Sequence, residues 1–277
     1  MRFCATTDRM HAPVSESAVS MKDDRLTIIA IAALACILGD VLHEGLGHGV
    51  TAWLSGAHRI TMSTVALQSD IETRWIAANG TLVNLLFGVI FWLLLHRTKR
   101  YVPATYYFLL LAMADNLFAG TGYFLFSGVA NFGDWAAVIR GLQPHWMWRV
   151  GLIVLGGASY YASMMLVAAK LKEFYGVDRN SRRIRGLAWT PYITDGILAG
   201  VAGLLNPAGV IYVVLSALPS TLGANAGLWS LPSMMRIWPP REEPIGPVRR
   251  SPAWIATGAI AGLLFIFVLG RGVTWSR

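Results

Sequence analysis

Residues 26–49 read LTIIAIAALACILGDVLHEGLGHG. The first half is an almost unbroken apolar run, and about 18 such residues are enough to cross a hydrocarbon core of roughly 30 Å. A backbone inside lipid has no water to bond, so the run is predicted to be a helix. The second half places His43, Glu44 and His48 in the same span. Such groups cost about 2.5–3.5 kcal/mol each at a helix centre if charged, so their presence demands a chemical reason.

The rest of the chain fits the same solvent. Of 277 residues 55% are hydrophobic and only 14% charged, against about 25% charged in a soluble domain. Further apolar runs lie at about Trp75–Leu95, Ala104–Phe126, Trp148–Ala169, Thr190–Leu218 and Ala253–Leu269, the fifth interrupted by Asn206 and Pro207. The fold class expected is therefore an all-α integral membrane protein of about six transmembrane helices. Between the first two spans, residues 58–70 read HRITMSTVALQSD, whose β-branched residues and partial alternation predict a short strand or hairpin outside lipid. Residues 1–25 form a polar, disordered tail by composition, and Met21 is an alternative start.

The formal net charge is +8, with Lys and Arg clustered beside the spans. That placement reads as membrane anchoring and not as a nucleic-acid surface. By the positive-inside rule both termini face the cytoplasm, and His43, roughly 25 Å into the first span, then lies near the outer face. Cys4 and Cys36 do not suggest a disulfide framework.

A bound Zn²⁺ would justify the polar cluster: neutral imidazoles donate lone pairs, the metal acidifies a water and a carboxylate takes its proton. The usual zinc-protease pattern spaces its histidines four apart on one helix face. Here they are five apart, roughly 140° around an ideal α-helix. One residue taken up as a π-bulge would restore the shared face, and Gly45 and Gly47 make that distortion cheap. The plainer alternative is a polar kink in which the two histidines and Glu44 satisfy one another between helices.

HEGLGH resembles the His-Glu-x-x-Gly-His zinc motif of the dipeptidyl peptidase III family over those six residues. More broadly, the stretch from Leu26 to Val138 resembles the site-2 protease family of intramembrane zinc metallopeptidases. The His-Glu motif ends the first core helix and leads to a small-residue turn, HEGLGHGVTAWLSG. After the strand-like segment, Asn79-Gly80-Thr81-Leu82-Val83-Asn84 is similar to the family's Ala-Gly-Pro-x-x-Asn pattern, with Thr81 in place of proline. A later helix supplies an aspartate beside a glycine. The resemblance implies a core of three transmembrane helices over 26–140, with 141–277 adding further helices and a C-terminal tail. It implies that His43, His48 and Asp134 hold Zn²⁺, that Glu44 is the general base, and that Asn84 faces the cleft to contact substrate or the oxyanion. The implied partners are a membrane-anchored protein or peptide substrate and the lipid bilayer, in a bacterial cell membrane.

Topology ranks the candidates for the third ligand. Asp134 lies just beyond the third span, on the face to which His43 points, although GDW also reads as an ordinary helix start. Asp195 sits near the start of the fifth span, on the opposite face, and Asp115 could reach only a deeper site. In Asn206-Pro207-Ala208-Gly209, Ala208 stands where the family's Asn-Pro-Asp-Gly turn has its ligand. Two other functions fit the same sequence: an inactive protease-like scaffold, or a small transporter built on the broken fifth helix.

Overall fold

The computed structural model describes residues 22–98, 102–175, 181–207, 209–235 and 245–276. The expected tail up to residue 21, with Cys4 and Met21, lies outside them, as does Ala208. Asp24 starts the first helix. Its carboxylate accepts the Thr27 amide at 2.9 Å and the Thr27 hydroxyl at 2.8 Å, which holds the carboxyl below the usual carboxylate range. Helix α1 (Arg25–Asp40) passes into a π-helical turn (Val41–Gly49) and then α2 (Val50–Leu54), one continuous span of 30 residues.

Strands β1 (Arg59–Met62) and β2 (Leu67–Ser69) follow, then the long helices α3 (Arg74–Arg97) and α4 (Pro103–Ala130). A short helix α5 (Asp134–Ile139) precedes α6 (His145–Tyr175) and α7 (Ser181–Leu204). After two π-helical turns come α8 (Ala226–Met234), α9 (Pro252–Leu264) with a final π turn, and β3 (Val273–Ser276). Five helical segments are long and apolar enough to cross a membrane: Arg25–Leu54, Arg74–Arg97, Pro103–Ala130, His145–Tyr175 and Pro252–Leu269. Rows of exposed apolar side chains mark their outer faces, such as Leu82, Leu86, Val89 and Leu93 on α3 and Val150, Val154 and Tyr161 on α6. Such continuous apolar faces suit lipid tails and not water.

The expected fifth span over 190–218 is not one helix. Helix α7 begins earlier, at Ser181, and ends at Leu204. Pro207 has no amide to continue the ladder, and Gly209 adopts φ +103°, which turns the chain. The chain then winds through π turns at Val213–Ala217 and Pro219–Gly223, beside α4 and α7. Apolar composition continues across this break, which is why the run reads as a single span.

The predicted strand segment is a hairpin, and the far end of the chain completes its sheet. Strand β1 is central, pairing antiparallel with β2 (Ile60↔Ser69, Met62↔Leu67) and with β3 (Arg59↔Ser276, Met62↔Val273). Ile60 and Met62 point inward while Arg59 and Thr61 point out, the period-two alternation of a half-buried strand. Asp70 closes the hairpin by accepting the Arg59 and His58 amides, which hold its carboxyl below the usual range.

Helix α4 is the axis of the bundle, packed on α1, α3 and α6. Its Tyr107, Leu110, Met113 and Phe118 are among the most buried side chains, together with Phe174 of α6. The Tyr107 hydroxyl donates to the Leu187 carbonyl at 2.6 Å, so this deep phenol is not left unpaired.

Candidate metal centre

In the π turn each residue bonds five back instead of four, as the Val50 amide does to the Gly45 carbonyl. Five residues therefore return to the same face, and His43 and His48 stand one above the other with their Nε2 atoms 3.1 Å apart and their rings edge to face. The turn presses against α3 at a glycine crossing. A Cβ on Gly47 would lie 2.5 Å from the Gly80 Cα, and a Cβ on Gly80 would lie 2.7 Å from His43 Nε2 and against His48 Nε2 as well. Only a backbone without side chains lets the helices close and still leaves room for the two ring nitrogens.

Each ring is aimed from behind. Asn84 on α3 gives both amide hydrogens away, to the Gly39 carbonyl at 3.2 Å and to Asn116 Oδ1 at 2.8 Å. Its Oδ1, 2.5 Å from His43 Nδ1, is therefore the acceptor, and the His43 ring donates there. His48 Nδ1 donates to the Ile76 carbonyl at 2.6 Å. With both Nδ1 atoms carrying the protons, both Nε2 lone pairs face the same small space.

Asp134 closes that space from α5. Helix α4 ends with Asn131 left-handed, and Gly133 at φ +83° turns the chain so that Asp134 opens α5 and points back at the histidines. Arg149 of α6 caps the end of α4, donating to the Gly128 carbonyl at 3.0 Å and the Val129 carbonyl at 2.8 Å. Arg74 donates to the Arg140 carbonyl at 2.8 Å and ties the end of α5 to α3. Asp134 Oδ2 lies 3.2 Å from His43 Nε2 and 3.3 Å from His48 Nε2.

Three acceptors thus converge with no donor of their own, and Asp134 Oδ2 is buried without a hydrogen bond. A positive charge must sit among them. A single proton on one Nε2 can point squarely at only one of the other two atoms, and two imidazolium N–H groups cannot face each other at 3.1 Å. A metal ion satisfies it well: ligand atoms about 2.0–2.1 Å from a tetrahedral ion stand roughly 3.3 Å from one another, close to the 3.1, 3.2 and 3.3 Å found here. The buried His43, His48 and Asp134 group can hold a metal ion.

Glu44, also buried, has its Oε2 without a partner and lines both an inner polar cavity, shared with His43, and a cleft of about 480 Å³, shared with His48 and Asp134. The outer wall of the cleft includes Leu67 and Ser69 of β2. Asn84 lines the inner cavity with His43 and Glu44, and both ends of its amide are engaged, by His43, the Gly39 carbonyl and Asn116. It orients a ring and has nothing left for a substrate. Asp195 and Asp115 lie deeper, around Asn225, whose amide donates to Asp195 Oδ2 at 2.9 Å, and Asp115 and Asn225 line the inner cavity with His43 and Glu44. Sequence reasoning missed Gly80, the Ile76 carbonyl, Arg149 and Tyr123, whose ring stacks on His43 at 5.2 Å. Only Gly80 left a trace there, as the glycine of the Asn79–Asn84 stretch.

The fold and site together define a helical membrane protein with a buried two-histidine, one-carboxylate centre. No protein-family model, curated protein or solved structure matches the chain.

Proposed function

We propose that the protein is an intramembrane zinc metallopeptidase, similar to the site-2 protease family, that hydrolyses peptide bonds of membrane-associated substrates. The observation that carries this reading is the convergence of His43, His48 and Asp134 on one point with the unpartnered Oε2 of Glu44 in the same cleft. Two histidines and a carboxylate also suit ferrous iron, but a free carboxylate base beside them favours hydrolysis. Zinc, when bound, lowers the pKa of a water and polarises a carbonyl.

The residues of the chain do the rest. Glu44 accepts the proton as the water oxygen bonds to the carbonyl carbon and the carbonyl electron pair moves to its oxygen. It then returns that proton to the amide nitrogen as the C–N bond breaks, the reciprocal acid and base roles of one carboxylate. A helical substrate shields its peptide bonds with its own hydrogen bonds, so it must be extended before attack. The cleft wall formed by Leu67 and Ser69 of β2 suits an extended segment.

The test is cleavage of a fluorogenic single-pass peptide by the zinc-loaded protein in liposomes. Glu44→Gln should retain zinc and lose at least about 10²-fold in rate. Zinc-loaded wild type that cleaves no better than Glu44→Gln would leave a metal-binding scaffold instead.

A further inference from the structure

With Asn84 committed to His43, the cleft needs another donor for the negative charge that develops on an attacked carbonyl oxygen. We propose that the hydroxyl of Tyr123 is that donor, a catalytic residue of the site; the inference rests on the peptidase reading. Tyr123 projects from α4 and stacks on His43 with a centroid separation of 5.2 Å and an interplanar angle of 28°. It lines the cleft with Glu44, His48 and Asp134, and the inner cavity with His43 and Glu44. It also borders an apolar chamber of about 420 Å³ between α4 and the π turns after α7. It is thus a wall residue where the polar and apolar spaces meet.

Its hydroxyl is uncommitted. Other tyrosines of the bundle spend theirs: Tyr107 on the Leu187 carbonyl, Tyr160 on the Ala224 carbonyl and Tyr106 on Glu173. Tyr123 makes no hydrogen bond with any described residue. Of the other hydroxyls on the cleft wall, Ser69 is used on the Ile71 carbonyl, Ser216 on the Val65 carbonyl and Thr73 at the start of α3, and Tyr212 does not line the inner cavity with His43 and Glu44 as Tyr123 does. Its open hydroxyl therefore offers a hydrogen-bond donor for a ligand to take. A prepositioned donor of this kind acts most strongly on charge that appears only during reaction. The stacked ring also has a structural task, holding His43, so the hydroxyl must be tested separately from the ring.

Tyr123→Phe keeps the ring and removes only the donor. In the cobalt-substituted protein, methylphosphonate serves as a tetrahedral anionic probe, and the visible Co²⁺ absorption reports its arrival at the site. Tyr123→Phe should leave the cobalt spectrum and metal content as in wild type and weaken methylphosphonate by roughly ten- to a hundredfold. In peptide hydrolysis it should lower kcat by about 10²–10³ with KM little changed. Tyr123→Leu should in addition alter the cobalt spectrum, because His43 loses its support. Equal methylphosphonate affinity in wild type and Tyr123→Phe, with normal cobalt spectra in both, would overturn the role of Tyr123 while leaving the metal site standing. Failure of the wild type to take up cobalt would overturn the metal reading, and the role of Tyr123 with it; failure of Tyr123→Phe alone would overturn the donor role of the hydroxyl and leave the metal site standing.

Discussion

His43, His48 and Asp134 meet at the end of the first span, while Asp115, Asp195 and Asn225 meet deeper in the same bundle, between α4, α7 and the start of α8. Both groups are buried, and both include carboxylate oxygens without hydrogen-bond partners. They differ in what the chain supplies around them. In the deeper group the Asn225 amide donates to Asp195 and sits between the carboxyls as a neutral bridge. In the outer group every donor points away, into Asn84 or the Ile76 carbonyl, and only acceptors face inward. Among the described residues, no other set of three His, Cys, Asp or Glu side chains brings its ligand atoms within 4.8 Å of one another. Burial of polar groups in a membrane is therefore not what marks a metal site. The mark is a set of acceptors aimed at one another by hydrogen bonds made behind them.

That contrast can be broken at its most crowded point. In Gly80→Ala a methyl group would occupy the space in front of both Nε2 atoms, and metal content, measured by plasma mass spectrometry on detergent-purified protein, should fall to background. Retention of stoichiometric metal would mean that the acceptors do not converge as described. Asn84→Ala leaves the ligands in place and frees His43 to rotate, so metal affinity should drop by about 10- to 100-fold in competition with a chromophoric chelator. An unchanged affinity would show that Asn84 does not orient the ring.

Removing Gly45 sharpens the comparison from another side, because it shortens the histidine spacing to four. The π turn should then relax to an α-helix with both rings still on one face, and metal content should stay near one per chain. Loss of metal would show that the π geometry itself is required and not merely the shared face. The smallest effect belongs to the deeper group: Asp195→Asn should change neither metal content nor chelator competition, although it alters a buried hydrogen bond. A metal deficit there would join the two clusters into one site.

Much of this arrangement is legible in the amino-acid sequence. The first four expected helices and the final one follow from apolar runs of membrane-crossing length, and the β1–β2 hairpin from alternation over residues 58–70. The strained spacing of His43 and His48 points to a π turn because helix geometry allows few other ways to bring them together. Strand β3 is not legible: four residues, Val273–Ser276, find their partners more than 200 positions away, and nothing local announces that pairing. The break after Leu204 is hard to weigh because apolar composition continues through it. Topology ranks Asp134 above Asp195, but Asp134 is also the first residue of a short helix, so sequence alone leaves both roles open. The motif places Asn84 beside the site, where it lines the inner cavity, but does not reveal that its amide is engaged by His43, Gly39 and Asn116. Tyr123 gives no signal, since an aromatic residue in a span reads first as packing or an interface anchor.

The most direct test of the central claim is metal stoichiometry in the purified full chain, comparing wild type with His43→Ala, His48→Ala, Asp134→Ala and Asp195→Ala. The convergent site predicts about one zinc per chain in wild type and Asp195→Ala, and loss of that zinc in each of the other three. Zinc-free wild type under metal-replete conditions, or zinc that persists when Asp134 is replaced and disappears with Asp195, would contradict it.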